Sequence, residues 1–232
     1  MNHDLLRLGL DANHALFADR ADAGAKLGEA LSRYRGQRPL VLGIPRGGVP
    51  VAAEVARILD GDLDVIVARK MGSPISPELA VGAVTADGTR YLNEETIGDL
   101  DVPQEYLERV AKEKSAEALA RERRFRAGRP PLSVEGRTVI LVDDGLATGS
   151  TMIASARSIR ARHPERLVIA VPVGPRDACA SMRAEADEVV CLETPAFFLA
   201  VGVHYRDFSQ TEDEDVDRIL HTWHAPAAAS TA

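Results

Sequence analysis

Four aliphatic residues in succession, Val139-Ile140-Leu141-Val142, run directly into two aspartates, Asp143-Asp144. A strand turns its side chains to alternate faces, so an unbroken aliphatic run is apolar on both. Such a strand needs cover on both sides, which places it inside a mostly parallel sheet flanked by helices. The rest of the chain agrees. Residues 39–44, 63–69, 167–171 and 188–192 read as further strands. Residues 18–34, 51–59, 103–126, 150–162 and 176–185 read as helices, the first with Ala23, Leu27, Ala30 and Leu31 on one face. The predicted fold class is therefore α/β.

One stretch interrupts this rhythm. Residues 81–84 and 89–92 flank Asp87-Gly88, a hairpin signal. The long helix 103–126 follows, with Glu117–Arg121 and Glu122–Arg126 spaced for ion pairs on a solvated face. We expect a single domain over 1–224. Within it, about 85–133 forms a helical insertion and about 193–224 a C-terminal hood segment. The tail 225–232 is expected to be disordered.

With 232 residues, 45% of them hydrophobic, the chain can build a sizeable core without covalent staples. Cys179 and Cys191 fit no zinc spacing and read as reduced, buried thiols. A formal charge of −7 argues against a broad nucleic-acid surface. The N-terminal stretch lacks the apolar core of a signal peptide, and the longest apolar run, 196–203, is too short to span a membrane. These features predict a cytoplasmic protein with no membrane and no nucleic-acid partner.

The chemistry concentrates where the central strand ends. Ligands of open α/β sheets bind outside the carboxyl ends of the strands. Two adjacent carboxylates resist joint ionisation, so a site that keeps both needs hydroxyl donors or a metal nearby. A ribose diol supplies such donors. Gly145-Leu146-Ala147-Thr148-Gly149-Ser150-Thr151 then turns into a helix. Its glycines permit a tight backbone, and its free N–H groups converge at the positive helix end, where a phosphate dianion fits. Thr148, Ser150 and Thr151 add hydroxyls. The combination suits a sugar phosphate, diol at one end and 5′-phosphate at the other. A Walker A loop would need a lysine, which is missing here. A Walker B strand explains the aspartates but not the turn, and a plain capped helix explains the turn but not the aspartates.

Residues 139–151 closely resemble the signature of the type I phosphoribosyltransferases. Leu42-Gly43-Ile44-Pro45-Arg46-Gly47-Gly48-Val49-Pro50 resembles that family's pyrophosphate-binding loop, and Arg69-Lys70 the basic pair opening its mobile loop. The resemblance is to a bacterial subfamily with a helical insertion. It implies Mg²⁺-dependent transfer of phosphoribose from 5-phosphoribosyl-1-pyrophosphate to a nitrogen acceptor, a nucleobase or base-like ring, with release of pyrophosphate. It implies Asp143, Asp144 and Lys70 as catalytic residues. Ala147, Thr148, Gly149, Ser150 and Thr151 would cradle the ribose 5-phosphate. Arg46, Gly47, Gly48 and Lys70 would hold pyrophosphate, and Asp143 and Asp144 would hold the metal through substrate or water. It further implies a homodimer. The alternative is a non-catalytic sensor of the same diphosphate, though retention of Arg46, Lys70, Asp143 and Asp144 favours catalysis.

Ala147 stands where the 6-oxopurine enzymes carry an aspartate, so no hypoxanthine or guanine specificity follows. The segment 193–208 clusters Phe197, Phe198, Tyr205 and Phe208 in a chain with only 4% aromatics. Phe197, Phe198 and Tyr205 are candidates for the acceptor site, the alternative being ordinary core. His204 reads as a structural histidine.

Overall fold

A computed structural model of the chain describes residues 15–223; the expected tail 225–232 lies outside them. Five parallel strands form the main sheet: β1 (Leu40–Gly43), β2 (Asp62–Val65), β6 (Thr138–Val142), β7 (Arg166–Val173) and β8 (Glu188–Glu193), in the order β2-β1-β6-β7-β8. The alternation of side chains splits the core in two. Val41, Ile140, Val142, Val168 and Ala170 face one layer of helices. Leu40, Leu42, Val139, Leu141 and Ile169 face the other. The first layer contains α1 (Arg20–Ala30) and α2 (Gly48–Leu59); the second contains α5 (Ser150–Arg160) and α6 (Arg176–Ser181).

Helix α1 packs through Gly24 and Gly28 rather than through Ala30, which is exposed. A Cβ on Gly24 would come within 2.7 Å of the Val51 carbonyl, so α1 and α2 approach closely only because that side chain is absent.

The predicted strand 63–69 is in fact two. The chain leaves the main sheet at Ile66-Val67, where the Val67 N–H donates to the Glu122 side chain instead of to a strand. It then enters a separate antiparallel sheet of β3 (Ala68–Gly72), β4 (Ala80–Thr85) and β5 (Arg90–Leu92). The β4–β5 turn is pinned to α5 by Asp87, which accepts from Ser158 Oγ at 2.5 Å and Arg162 Nη2 at 2.9 Å. These donors and that of Thr85 outweigh burial and hold the Asp87 carboxyl well below its ordinary range.

A short helix α3 (Glu94–Asp99) leads to α4 (Gln104–Arg126). The Glu122–Arg126 pair on α4 is buried, not solvated. Arg126 bonds Glu122 at 2.7 Å, Asp64 at 3.0 Å and the Val65 carbonyl at 2.6 Å. This network fastens α4 to the end of β2. Arg121 pairs with Asp213 rather than Glu117, and Glu117 takes Arg69 and Lys114. Asp213 opens α7 (Asp213–Thr222), a helix not anticipated from the sequence. Its N-terminus is closed by a reciprocal Glu212–Asp215 capping box. Among the described residues no helix is long and apolar enough to cross a membrane.

Candidate active site at the sheet switch point

From β1 the chain passes through α2 to β2 on one side. From β6 it passes through α5 to β7 on the other. The strand order therefore reverses between β1 and β6, and the loops leaving these two strands part to open a crevice. Loop 44–47 forms one wall and loop 143–149 the other. They are in contact: a Cβ on Gly48 would lie 2.8 Å from the Val142 carbonyl and 2.9 Å from Asp143 Cα, and one on Gly47 would overlap Asp144 Oδ2. Only glycine lets these backbones approach so closely.

Asp143 and Asp144 sit at the floor. Burial, and then the charge of Asp144, pushes the Asp143 carboxyl well above the ordinary carboxylate range. Burial raises Asp144 as well, and Arg20 works against that rise. Arg20, on α1, donates from Nε to Asp144 Oδ2 at 2.8 Å and from Nη1 to the Ser209 carbonyl at 2.7 Å. Its guanidinium lies over the Phe208 ring, 3.9 Å from the centroid. Tyr205 donates its hydroxyl to the Asp144 carbonyl at 2.6 Å. Burial pushes the pKa of that phenol far above its ordinary value.

Beyond the acid pair, Ala147 and Thr148 are exposed, Thr151 is half-buried, and Gly149 and Ser150 are buried. Gly149 has φ +79° and no side chain caps α5, so the first-turn N–H groups of this helix are left for a ligand or solvent. On the opposite wall, Arg46 follows Pro45 through a cis peptide bond, and its Nη1 reaches Glu212 Oε2 at 2.7 Å. Lys70 is exposed on β3, close enough for its charge to act on Asp143. It also borders a cavity of about 330 Å³ with Arg69, Tyr106, Arg109 and Lys114.

The aromatic cluster divides. Phe197 is 91% exposed. Phe198 is half-buried and stacks on His204 with ring centroids 5.2 Å apart. Tyr205 is buried against Phe17 and Phe208. His204 is buried, and desolvation lowers its basicity. Cys179 and Cys191 are free thiols with sulfurs 2.7 Å apart; only Cys179 is fully buried.

Two residues in this crevice carried no signal in the sequence. Arg20 stands 124 residues from the carboxylate it binds, and Glu212 stands 166 residues from Arg46. Neither lies in a motif, and only the tertiary fold brings them in.

Residues 10–206 match the phosphoribosyl transferase domain family. The proteins named "Putative phosphoribosyl transferase" in Mycobacterium tuberculosis strains CDC 1551 and H37Rv are each 45% identical over 217 residues, covering 94% of this chain and 49% of theirs. The chain thus spans about half the length of these curated relatives. The crystal structure of TT1426 from Thermus thermophilus superposes with a TM-score of 0.76 at 46% identity, covering 89% of this chain and 98% of that one. The chain belongs to the phosphoribosyl transferase domain family.

Proposed function

We propose that the chain transfers phosphoribose from 5-phosphoribosyl-1-pyrophosphate to a nitrogen of a nucleobase or base-like ring. The observation that carries this reading is the half-buried acid pair lying between two separate glycine-bearing loops at the switch point. A diphosphorylated sugar has this layout: phosphate, diol, diphosphate.

In this reading the uncapped amides of α5 and the hydroxyls of Thr148, Ser150 and Thr151 take the 5′-phosphate. Asp143 and Asp144 receive the ribose hydroxyls. Arg46, the Gly47 amide and Lys70 take the diphosphate, whose charge grows as the bond from carbon 1 to oxygen breaks. The Gly48 N–H is engaged by the Ile44 carbonyl at 3.0 Å, and Gly48 serves by its missing side chain. The electron pair of that bond leaves with pyrophosphate. A nitrogen lone pair of the acceptor closes the new bond from the opposite face of the sugar. The segment 193–208 borders that side, with Phe197 and Phe198 able to cover a planar ring.

Mg²⁺ fits the donor set. The described residues contain no cluster of three or more metal-binding side chains, but Mg²⁺ is commonly held by one or two carboxylates completed by phosphate and water. Asp143 and Asp144 would hold it through substrate or water. When bound it neutralises charge on the diphosphate.

The test is calorimetric titration of 5-phosphoribosyl-1-pyrophosphate with Mg²⁺, followed by pyrophosphate release across a panel of bases. Binding with turnover is expected. Binding without release for any base would instead favour a sensor of the diphosphate, and no binding would remove both readings.

A further inference from the structure

Arg20 is held on three sides. Asp144 takes its Nε, the Ser209 carbonyl takes Nη1, and Phe208 supports its face. Its side chain is only 13% exposed. The same Nε lies 3.1 Å from the position a Cβ on Gly47 would occupy, and that Cβ would overlap Asp144 Oδ2. Arg20, the Asp144 carboxylate and the backbone of loop 45–48 therefore share one small volume. A diphosphate drawn to that loop comes up against a half-buried carboxylate whose side chain is 15% exposed. Like charges repel far more strongly in such a place than in water.

We propose that Arg20 is a positioning residue that cancels the Asp144 charge beside loop 45–48, so that the acid pair and an incoming diphosphate can occupy adjacent positions. This rests on the assignment of that loop to the diphosphate. The guanidinium is suited to the task. It is a permanent cation, weakly hydrated, and its planar fork is fixed here by a carboxylate, a carbonyl and an aromatic face at once. A purely structural arginine would make the same contacts, so the two roles have to be separated by charge rather than by loss of contact.

The experiment titrates inorganic pyrophosphate, in chelator-treated buffer so that no metal ligand is at issue, into the wild-type protein and four variants. Arg20→Gln should weaken binding by about tenfold or more, the effect of leaving one partner of a desolvated charge pair behind. Arg20→Lys should stay within about threefold of wild type, because it keeps the charge. The double variant Arg20→Gln/Asp144→Asn should recover to within about threefold, since the charge that needed cancelling is gone. Asp144→Asn alone should bind pyrophosphate about threefold or more tightly than wild type, its arginine now unopposed.

A double variant as weak as Arg20→Gln, or an Arg20→Gln protein that binds like wild type, overturns the proposal. If Arg20→Gln does not fold, the Asp144→Asn arm decides alone, and unchanged or weaker binding there overturns it. Wild-type protein that binds neither pyrophosphate nor, with Mg²⁺, 5-phosphoribosyl-1-pyrophosphate overturns the site assignment and this proposal together.

Discussion

The two walls of the crevice are built on opposite plans. The wall after β6 is continuous: residues 143–151 supply the acid pair, the turn and the uncapped helix start in one uninterrupted stretch. The wall after β1 is assembled. Its Arg46 is tethered by Glu212, and its Gly47 rests on an Asp144 that is itself held by Arg20. A continuous wall keeps its geometry as long as its own strand and helix stay in place. An assembled wall depends on the N-terminal helix and the C-terminal segment, both distant in sequence. Substitutions should therefore act differently on the two sides.

The largest effect is expected at the floor that both walls share. Asp143→Asn/Asp144→Asn replaces the two carboxyls proposed to receive the ribose hydroxyls. Charge-assisted hydrogen bonds contribute about 1.5–3 kcal/mol each, so affinity for 5-phosphoribosyl-1-pyrophosphate should fall by about a hundredfold or more. Calorimetry with Mg²⁺ present checks it, and unchanged affinity would remove the acid pair from the site.

The glycines separate the walls next. At Gly47 the constraint is a neighbour: a Cβ would overlap Asp144 Oδ2. Gly47→Ala should push that carboxylate off Arg20 and weaken 5-phosphoribosyl-1-pyrophosphate by about tenfold, the cost of disturbing a largely desolvated charge pair. At Gly149 the constraint is chiefly the backbone, at φ +79°, since the neighbour a Cβ would crowd, 2.9 Å away, is only the flexible end of Met182. Gly149→Ala should cost about 1 kcal/mol of folding stability, the penalty of holding an L residue in the left-handed region. Thermal melts paired with titrations of both variants would test the distinction. Equal losses of affinity and stability in the two would erase it.

This contrast explains how much could be read from the sequence. The parallel sheet was legible because aliphatic runs such as 139–142 admit no wet face, and the hairpin because Asp87-Gly88 marks its turn. The 143–151 wall was legible because its parts are consecutive. Arg20 was not, since an arginine in the first turn of an amphipathic helix looks like any solvated one. Glu122 and Arg126 misled for the same reason: i,i+4 spacing describes a pair but says nothing about Asp64 and the Val67 amide that bury it. Helix α7 escaped because its ten residues bury only Val216 and Leu220 fully and carry five charged side chains.

Arg46→Ala should divide the ligands rather than abolish binding. The arginine stands on the assembled wall, away from the α5 cradle. Loss of a charge-assisted contact should weaken pyrophosphate by about tenfold. Ribose 5-phosphate, which lacks the diphosphate, should stay within about twofold. Parallel titrations of the two ligands read this directly, and equal weakening of both would mean that the walls do not divide the anions.

The smallest effect concerns the tether. Glu212 occupies the Arg46 guanidinium at 2.7 Å, with the two side chains 33% (Arg46) and 52% (Glu212) exposed. Pyrophosphate bound at Arg46 would have to displace or share that carboxylate. Ion pairs this exposed contribute about 0–1 kcal/mol, so the competition is mild. Glu212→Gln removes the charge but keeps a side-chain oxygen to accept from the first turn of α7, so the helix cap should survive. Freed from its partner, Arg46 should bind pyrophosphate about two- to fivefold more tightly, while ribose 5-phosphate is unaffected. Tighter pyrophosphate with an unchanged melting temperature would mark Glu212 as a competitor for the site. Weaker pyrophosphate would mean the reverse: the carboxylate aims Arg46 into the crevice, and the assembled wall gains more from the tether than it loses to it.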